Sequence, residues 1–138
     1  LKNMIHRFDS LSVKSICAGH IENAQKKARE YGVQAVTMEE MLDDPEIRLI
    51  VNLTPAHVHY SVIRAALEHG KHVYTEKTLT DDLEKSAELV ELAREKGLYL
   101  GSAPDTFLGA ALQTARAAID SVLLRRWHTM CMRCLTLC

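Results

Sequence analysis

The sequence predicts an α/β fold built on a doubly wound parallel sheet. Short runs rich in β-branched and apolar residues alternate with amphipathic helical stripes along most of the chain. The stripes open on capping residues or close on glycines. The connections between them are short, as right-handed strand–helix–strand units require. Such units lay their strands in parallel, in a sheet expected to be covered on both faces.

The elements follow in order. Residues 1–8 read as a helix with Leu1, Ile5 and Phe8 on one face, and residues 13–17 as a strand. A helix over 22–31 carries Ala24, Ala28 and Tyr31 at spacings of four and three, with Gly32 placed to end it. After a short run over 34–36, Thr37 and Glu40 stand as the two halves of a capping box. Residues 48–53 form an apolar run of strand length between Pro45 and Pro55. The next helix, over 57–69, is expected to face inward through Val58, Val62, Ala65 and Ala66, and to stop at Gly70. A strand over 71–75 leads to Thr80, Asp81 and Asp82, acceptors that suit a helix start. Leu83, Ala87, Val90 and Ala93 then recur at helical spacing until Gly97. Residues 98–101 read as a last strand, and Leu108, Leu112, Ala115 and Ile119 as a final helix.

Composition narrows the function. The chain has 138 residues, 47% hydrophobic and 25% charged, with a net charge of −1. These values fit one soluble globular domain and exclude a disordered or collagen-like chain. No apolar run approaches the roughly 20 residues that span a bilayer. A pI of about 6.7 lacks the basic excess of a nucleic-acid footprint. Lys2, His6 and Arg7 interrupt any apolar core of a signal peptide, so the expected location is cytoplasmic and the four cysteines are expected to be reduced.

The composition changes near Ser121. Residues 121–138 hold Arg125, Arg126 and Arg133 without an acid, the only Trp (Trp127) and three of the four cysteines. Without those arginines, 14 basic residues face 18 acidic ones over residues 1–120. The expected organisation is a folded unit over 1–120 and a foreign or out-of-frame tail over 121–138. His128, Cys131, Cys134 and Cys138 have spacings a zinc site could use, but so short a tail offers no supporting shell, and no metal is expected. Cys17 reads as a small core residue. Asn52 and Thr54 complete a glycosylation sequon, set aside because it lies on a buried strand.

In a doubly wound sheet, ligands bind beyond the carboxyl ends of the strands. Four ends are candidates: Ala18 to His20, Thr54 to His59, Glu76 to Thr78, and Ser102 to Asp105. Thr54 and Pro55 make a sharp strand exit that leaves backbone free for a flat ligand. His57 and His59 follow on the first helical turn, where a neutral imidazole is favoured and can hydrogen-bond a cofactor; two surface histidines are the bland alternative. Glu76 can accept from a ribose hydroxyl. Lys77 can position an anion, polarise a carbonyl or take a proton. Taken alone, a Glu-Lys pair is more often a solvated ion pair on a loop.

The combination is more specific. Thr54, Pro55 and His59, then Gly70, Lys71, His72 and Val73, then Glu76, Lys77, Thr78 and Leu79 resemble the run "TPN..H…A…AGKHV..EKPL" of the Gfo/Idh/MocA oxidoreductases. Residues 1 to about 120 follow the family's nucleotide-binding domain in order. The resemblance implies a Rossmann-like sheet and an NAD or NADP cofactor. It also implies hydride transfer between nicotinamide and a hydroxyl or carbonyl of a sugar- or polyol-like substrate. Thr54, Pro55, His59, Glu76 and Lys77 would hold the cofactor, with Lys77 also the catalytic lysine. A homo-oligomer is compatible with this; nucleic-acid and membrane partners are not expected.

The departures from the family are equally clear. The sequence lacks the first strand with its glycine-rich turn, since none of the six glycines forms Gly-x-Gly-x-x-Gly. Ala18 stands where the family often has an Asp for the adenosine ribose. Ala56 replaces the motif Asn, and Thr78 the motif Pro. The second domain and the groups it supplies for proton transfer are not represented. The expectation is a fragment that does not turn over substrate alone. The alternative is a non-catalytic nucleotide-binding or dimerisation module. A receiver-type signalling domain would need an Asp at the end of the middle strand, where Leu53, Thr54 and Pro55 stand.

Overall fold

The computed structural model describes residues 2–103 and 109–120. Leu1, residues 104–108 and residues 121–138, with the four candidate metal ligands, lie outside them. The described elements alternate as expected: α1 (Lys2–Arg7), β1 (Ser15–Ile16), α2 (Ile21–Tyr31), β2 (Gln34–Ala35), α3 (Met38–Asp43) and β3 (Leu49–Asn52). A 3-10 turn (Ala56–Val58), α4 (His59–Glu68), β4 (His72–Thr75), α5 (Leu83–Glu95), β5 (Leu100–Ser102) and α6 (Ala110–Asp120) complete them.

Local chemistry sets several boundaries. Thr37 accepts from the Glu40 amide while the Glu40 carboxylate accepts from the Thr37 amide, so the capping box starts α3. Asp82 Oδ1 accepts from the amides of Glu84 (2.7 Å) and Lys85 (3.3 Å) and starts α5. Gly32 ends α2 at φ 68°, a left-handed conformation that costs glycine little.

All strand pairings are parallel, but the strands form two sheets rather than one. β1 pairs only with β2, and β3, β4 and β5 pair in that order. Doubly wound sheets run in the order 3-2-1-4-5-6. The pairings β2–β1 and β3–β4–β5 match the 3-2 and 4-5-6 portions of that order. The Ser15 hydroxyl of β1 is buried without a hydrogen-bond partner.

The core lies on one face of the larger sheet. Ile50 and Val73 from the strands meet Ile63, Ala66 and Leu67 of α4 and Leu89 and Ala93 of α5, with Met41 and Leu42 of α3 closing one side. The other face departs from the expected two-sided cover. Among the described residues, Leu49, Leu53 and Tyr74 remain exposed there.

Two helix faces also differ from the sequence expectation. In α4 the fully buried positions are His59, Ile63, Ala66 and Leu67, while Val58, Val62 and Ala65 are only half-buried. In α5, Leu89 and Ala93 are buried, while Leu83 is 86% exposed and Val90 and Ala87 also face outward. Both helices satisfy two apolar stripes by periodicity, and packing between α4 and α5 selects one of them. In α6 no described residue is buried. No helix among the described residues is long and apolar enough to cross a membrane.

Candidate functional site

The ends of β3, β4 and β5 are level. Asn52 aligns with Thr75, and Thr75 with Ser102, so the segments that follow leave the sheet at one edge. The ladder continues one residue further on each side. The Glu76 amide donates to the Asn52 carbonyl and the Ala103 amide to the Thr75 carbonyl, each at 2.9 Å. Thr54 and Pro55 therefore emerge beside Glu76 and Lys77, which brings the two motif segments together.

Asn52 organises the β3 end. It is 2% exposed, and its Nδ2 donates to Thr75 Oγ1 at 3.0 Å. Its Oδ1 accepts from the Thr54 amide (3.1 Å) and from Thr54 Oγ1 (2.7 Å), which bends the chain out of the strand. Pro55, in an extended conformation, then starts the 3-10 turn, and Val58 N donates to Pro55 O. His57 on that turn is exposed.

His59 occupies a different setting. It is fully buried, with Nδ1 2.7 Å from the Thr78 carbonyl oxygen and Nε2 2.8 Å from the Thr54 carbonyl oxygen. The ring bridges the two motif segments through their backbones.

The segment after β4 is held at both ends and projects between them. Glu76 is tied to Asn52 through its amide, Thr78 to His59 through its carbonyl, and buried Thr80 hydrogen-bonds Asp82 and Ser86. Glu76 and Lys77 are exposed, and Glu76 Oε1 accepts from the Lys77 amide at 2.8 Å. The Lys77 ammonium has no ion pair or hydrogen bond among the described residues, so it is available to a ligand oxygen. The Lys77–Thr78 peptide is cis.

The end of β1 is open: Ala18, Gly19 and His20 are exposed, and His20 makes no side-chain cap to α2. Nearby, burial pushes the Cys17 thiol up, and its Sγ lies 3.8 Å from Met38 Sδ. That is the setting of a packed thiol rather than a nucleophile. At the β5 end only Ser102 and Ala103 of the expected segment are described, and Ser102 Oγ donates to the Ala103 carbonyl.

Residues 1–103 match the Gfo/Idh/MocA family model, described as an oxidoreductase family with an NAD-binding Rossmann fold. The chain belongs to the Gfo/Idh/MocA oxidoreductase family. It is similar to the uncharacterized oxidoreductase YhhX of Escherichia coli K12, 33% identical over 123 residues that cover 88% of this chain and 35% of that protein. It is also similar to a scyllo-inositol 2-dehydrogenase (NAD(+)) of Bacillus subtilis, 35% identical over 89 residues that cover 62% of this chain and 26% of the other. Among solved structures, a biliverdin reductase from Synechocystis in complex with biliverdin and NADP+ is similar at a TM-score of 0.68 and 30% identity, over 80% of this chain and 35% of that one. The chain thus spans about a third or less of the length of these relatives.

The family match covers both motif segments. Sequence reasoning gave no role to Asn52 or Thr75, which carry the hydrogen bonds that align them. A signal was present: an Asn inside the apolar run over 48–53 needs a buried partner.

Proposed function

We propose that this Gfo/Idh/MocA domain holds the ribose and nicotinamide side of NAD or NADP across the ends of β3 and β4. It would serve an oxidoreductase acting on a hydroxyl or carbonyl of a sugar- or polyol-like substrate. One observation supports this most directly: Thr54 and Pro55 leave the sheet beside Glu76 and Lys77, on strands whose ends are in register. The donor set suits the cofactor. The exposed Glu76 carboxylate accepts from ribose hydroxyls, the free Lys77 ammonium meets an oxygen, and Thr54 and Pro55 offer a flat backbone shelf. No glycine-rich phosphate loop is present among the described residues, so the pyrophosphate falls outside this donor set.

When bound, the nicotinamide supplies the hydride chemistry. The chain's part is placement. Lys77 orients and polarises the reacting oxygen of the substrate, and Glu76 fixes the ribose beside it. His59 serves from behind the crevice, because both of its ring nitrogens already face backbone carbonyls. Substrate class follows the relatives: a scyllo-inositol dehydrogenase acts on a polyol. The chain by itself is expected to bind nucleotide without turning over substrate.

Titrating the chain with NADH and NADPH, followed by nicotinamide fluorescence, tests this reading. Saturable binding is expected, weakened about tenfold or more by Glu76→Ala or Lys77→Ala. Absence of binding to both nucleotides, or binding that neither substitution alters, overturns it.

A further inference from the structure

The face of β3, β4 and β5 turned away from α4 and α5 is open. Side chains alternate between the two faces of a strand, so the register sets the outward ones in rows. Leu49 stands beside His72, and Val51 beside Tyr74, whose other neighbour is Gly101. Leu53 follows β3 and Tyr99 precedes β5; they are 65% and 79% exposed. The Tyr99 amide donates to His72 Nδ1 at 3.0 Å, and the two rings lie 5.2 Å apart, so this corner is held in place. Gly101 keeps room for Tyr74, because a Cβ there would meet the Tyr74 ring at 3.1 Å. None of these outward residues is a lysine, arginine, aspartate or glutamate.

α6 carries a second open surface. Ala111, Leu112, Ala115 and Ile119 share one side of it at helical spacing, and no described residue of the helix is buried. Leu112 and Ile119 are half-exposed. Beside that stripe Arg116 and Asp120 pair with each other at 2.7 Å, so covering the stripe strands no lone charge.

The two surfaces match in size. α6 has 11 residues, which make about 16 Å of a helix about 10 Å across. The run from Leu49 to Leu53 is about 13 Å long, and three strands side by side span about 10 Å. One helix therefore covers the three-stranded face. In the folded chain both surfaces stand open at once, so α6 does not close over its own sheet. A second copy supplies to each the surface it lacks.

We propose that two copies of this chain associate reciprocally, with α6 of each lying on the open β3–β4–β5 face of the other. The pairing is two-fold and closed, since each copy offers the same two surfaces and receives the same two. The exposed apolar parts of both surfaces, doubled by the symmetry, give on the order of 1,600 Å² of buried area, the standard size of a specific interface. A single helix-on-sheet contact would bury about half of that, in the range of incidental contacts. The absence of charge on both surfaces favours a second copy over nucleic acid or an acidic peptide, which would need cations here. The association needs no nucleotide and is independent of the function proposed above.

Sedimentation velocity of the chain over a micromolar range of concentration tests the pairing. A reversible dimer of twice 15.5 kDa is expected. Tyr99→Glu on the sheet and Leu112→Lys on α6 should each weaken it about tenfold or more, because each puts a charge into an apolar contact. Mixed in equal amounts, the two variants should dimerise more tightly than either alone. The unaltered helix of one then meets the unaltered sheet of the other, and the introduced charges, opposite in sign, share the second contact. Both positions are exposed, so circular dichroism should stay that of the parent. Leu49→Glu and Ile119→Lys repeat the test on the same two surfaces if either variant misfolds.

A chain that stays monomeric throughout overturns the proposal. So does a dimer that Leu112→Lys leaves unchanged, which pairs sheet with sheet, or one that Tyr99→Glu leaves unchanged, which pairs helix with helix. A mixture no tighter than its components overturns the reciprocal contact.

Discussion

Asn52 and Thr75 face each other at the ends of neighbouring parallel strands, joined by a 3.0 Å hydrogen bond from Asn52 Nδ2 to Thr75 Oγ1. Both side chains are buried, so a partner removed from this pair is not replaced by water without cost. Thr75→Val keeps the shape and orphans the Asn52 amide, which is expected to cost about 1–3 kcal/mol. Urea unfolding of Thr75→Val, Asn52→Ala and the double variant checks this. The double variant should lose less than the two singles combined, because they break one shared bond.

The buried stripe of α5 separates two readings of that helix. Leu89→Ala is expected to destabilise the fold by about 2–5 kcal/mol, since Leu89 is 0% exposed in the core. Leu83→Ala and Val90→Ala should each change stability by no more than about 0.5 kcal/mol, because both side chains face outward. The same unfolding measurement compares all three. A large loss at Leu83 or Val90 would show that something else covers that face.

The capping box of α3 gives a prediction with a pH sign. Thr37→Ala should cost about 1 kcal/mol at neutral pH. The Thr37 amide, and then its hydroxyl, hold the Glu40 carboxyl below the usual carboxylate range. A carboxyl lowered in the folded state stabilises it above the ordinary Glu range, and that contribution is lost as pH falls through the lowered value. The stability difference between the parent and Glu40→Gln should therefore be full near neutral pH and shrink toward acid. Thermal melts of the two proteins at stepped pH values measure it.

The open end of β1 addresses cofactor preference. Ala18 is exposed at the end of β1; on the proposed cofactor placement, an acidic residue there would accept from the adenosine ribose hydroxyl and repel a 2′-phosphate. Ala18→Asp is expected to lower affinity for NADPH relative to NADH by about tenfold or more. Parallel titrations with both nucleotides check the ratio. An unchanged ratio would place the adenosine end elsewhere.

Much of the fold and part of the crevice could be read before the structure. The Thr37 and Glu40 pair, Asp82 and the helix-ending glycines act through neighbours in sequence, and each stands where local chemistry placed it. The two motif segments are recognisable because their spacing follows from strand and helix lengths. The inner faces of α4 and α5 were misplaced by part of a turn. Short amphipathic helices with apolar residues all round leave more than one face open, and the choice belongs to the partner helix.

The sequence by itself determined the alternation of elements, their parallel sense, and the arrival of Thr54, Pro55, Glu76 and Lys77 at strand ends. Those features rest on periodicity, capping and chain connectivity, which act over a few residues or one crossover. Tertiary structure alone decided that the strands form two sheets, that only one face of the larger sheet is covered among the described residues, and that His59 turns inward. His59 meets Thr78 across nineteen residues of chain, and Asn52 meets Thr75 across twenty-three. Buried hydrogen bonds over such separations depend on which strands lie side by side, and no local pattern encodes that.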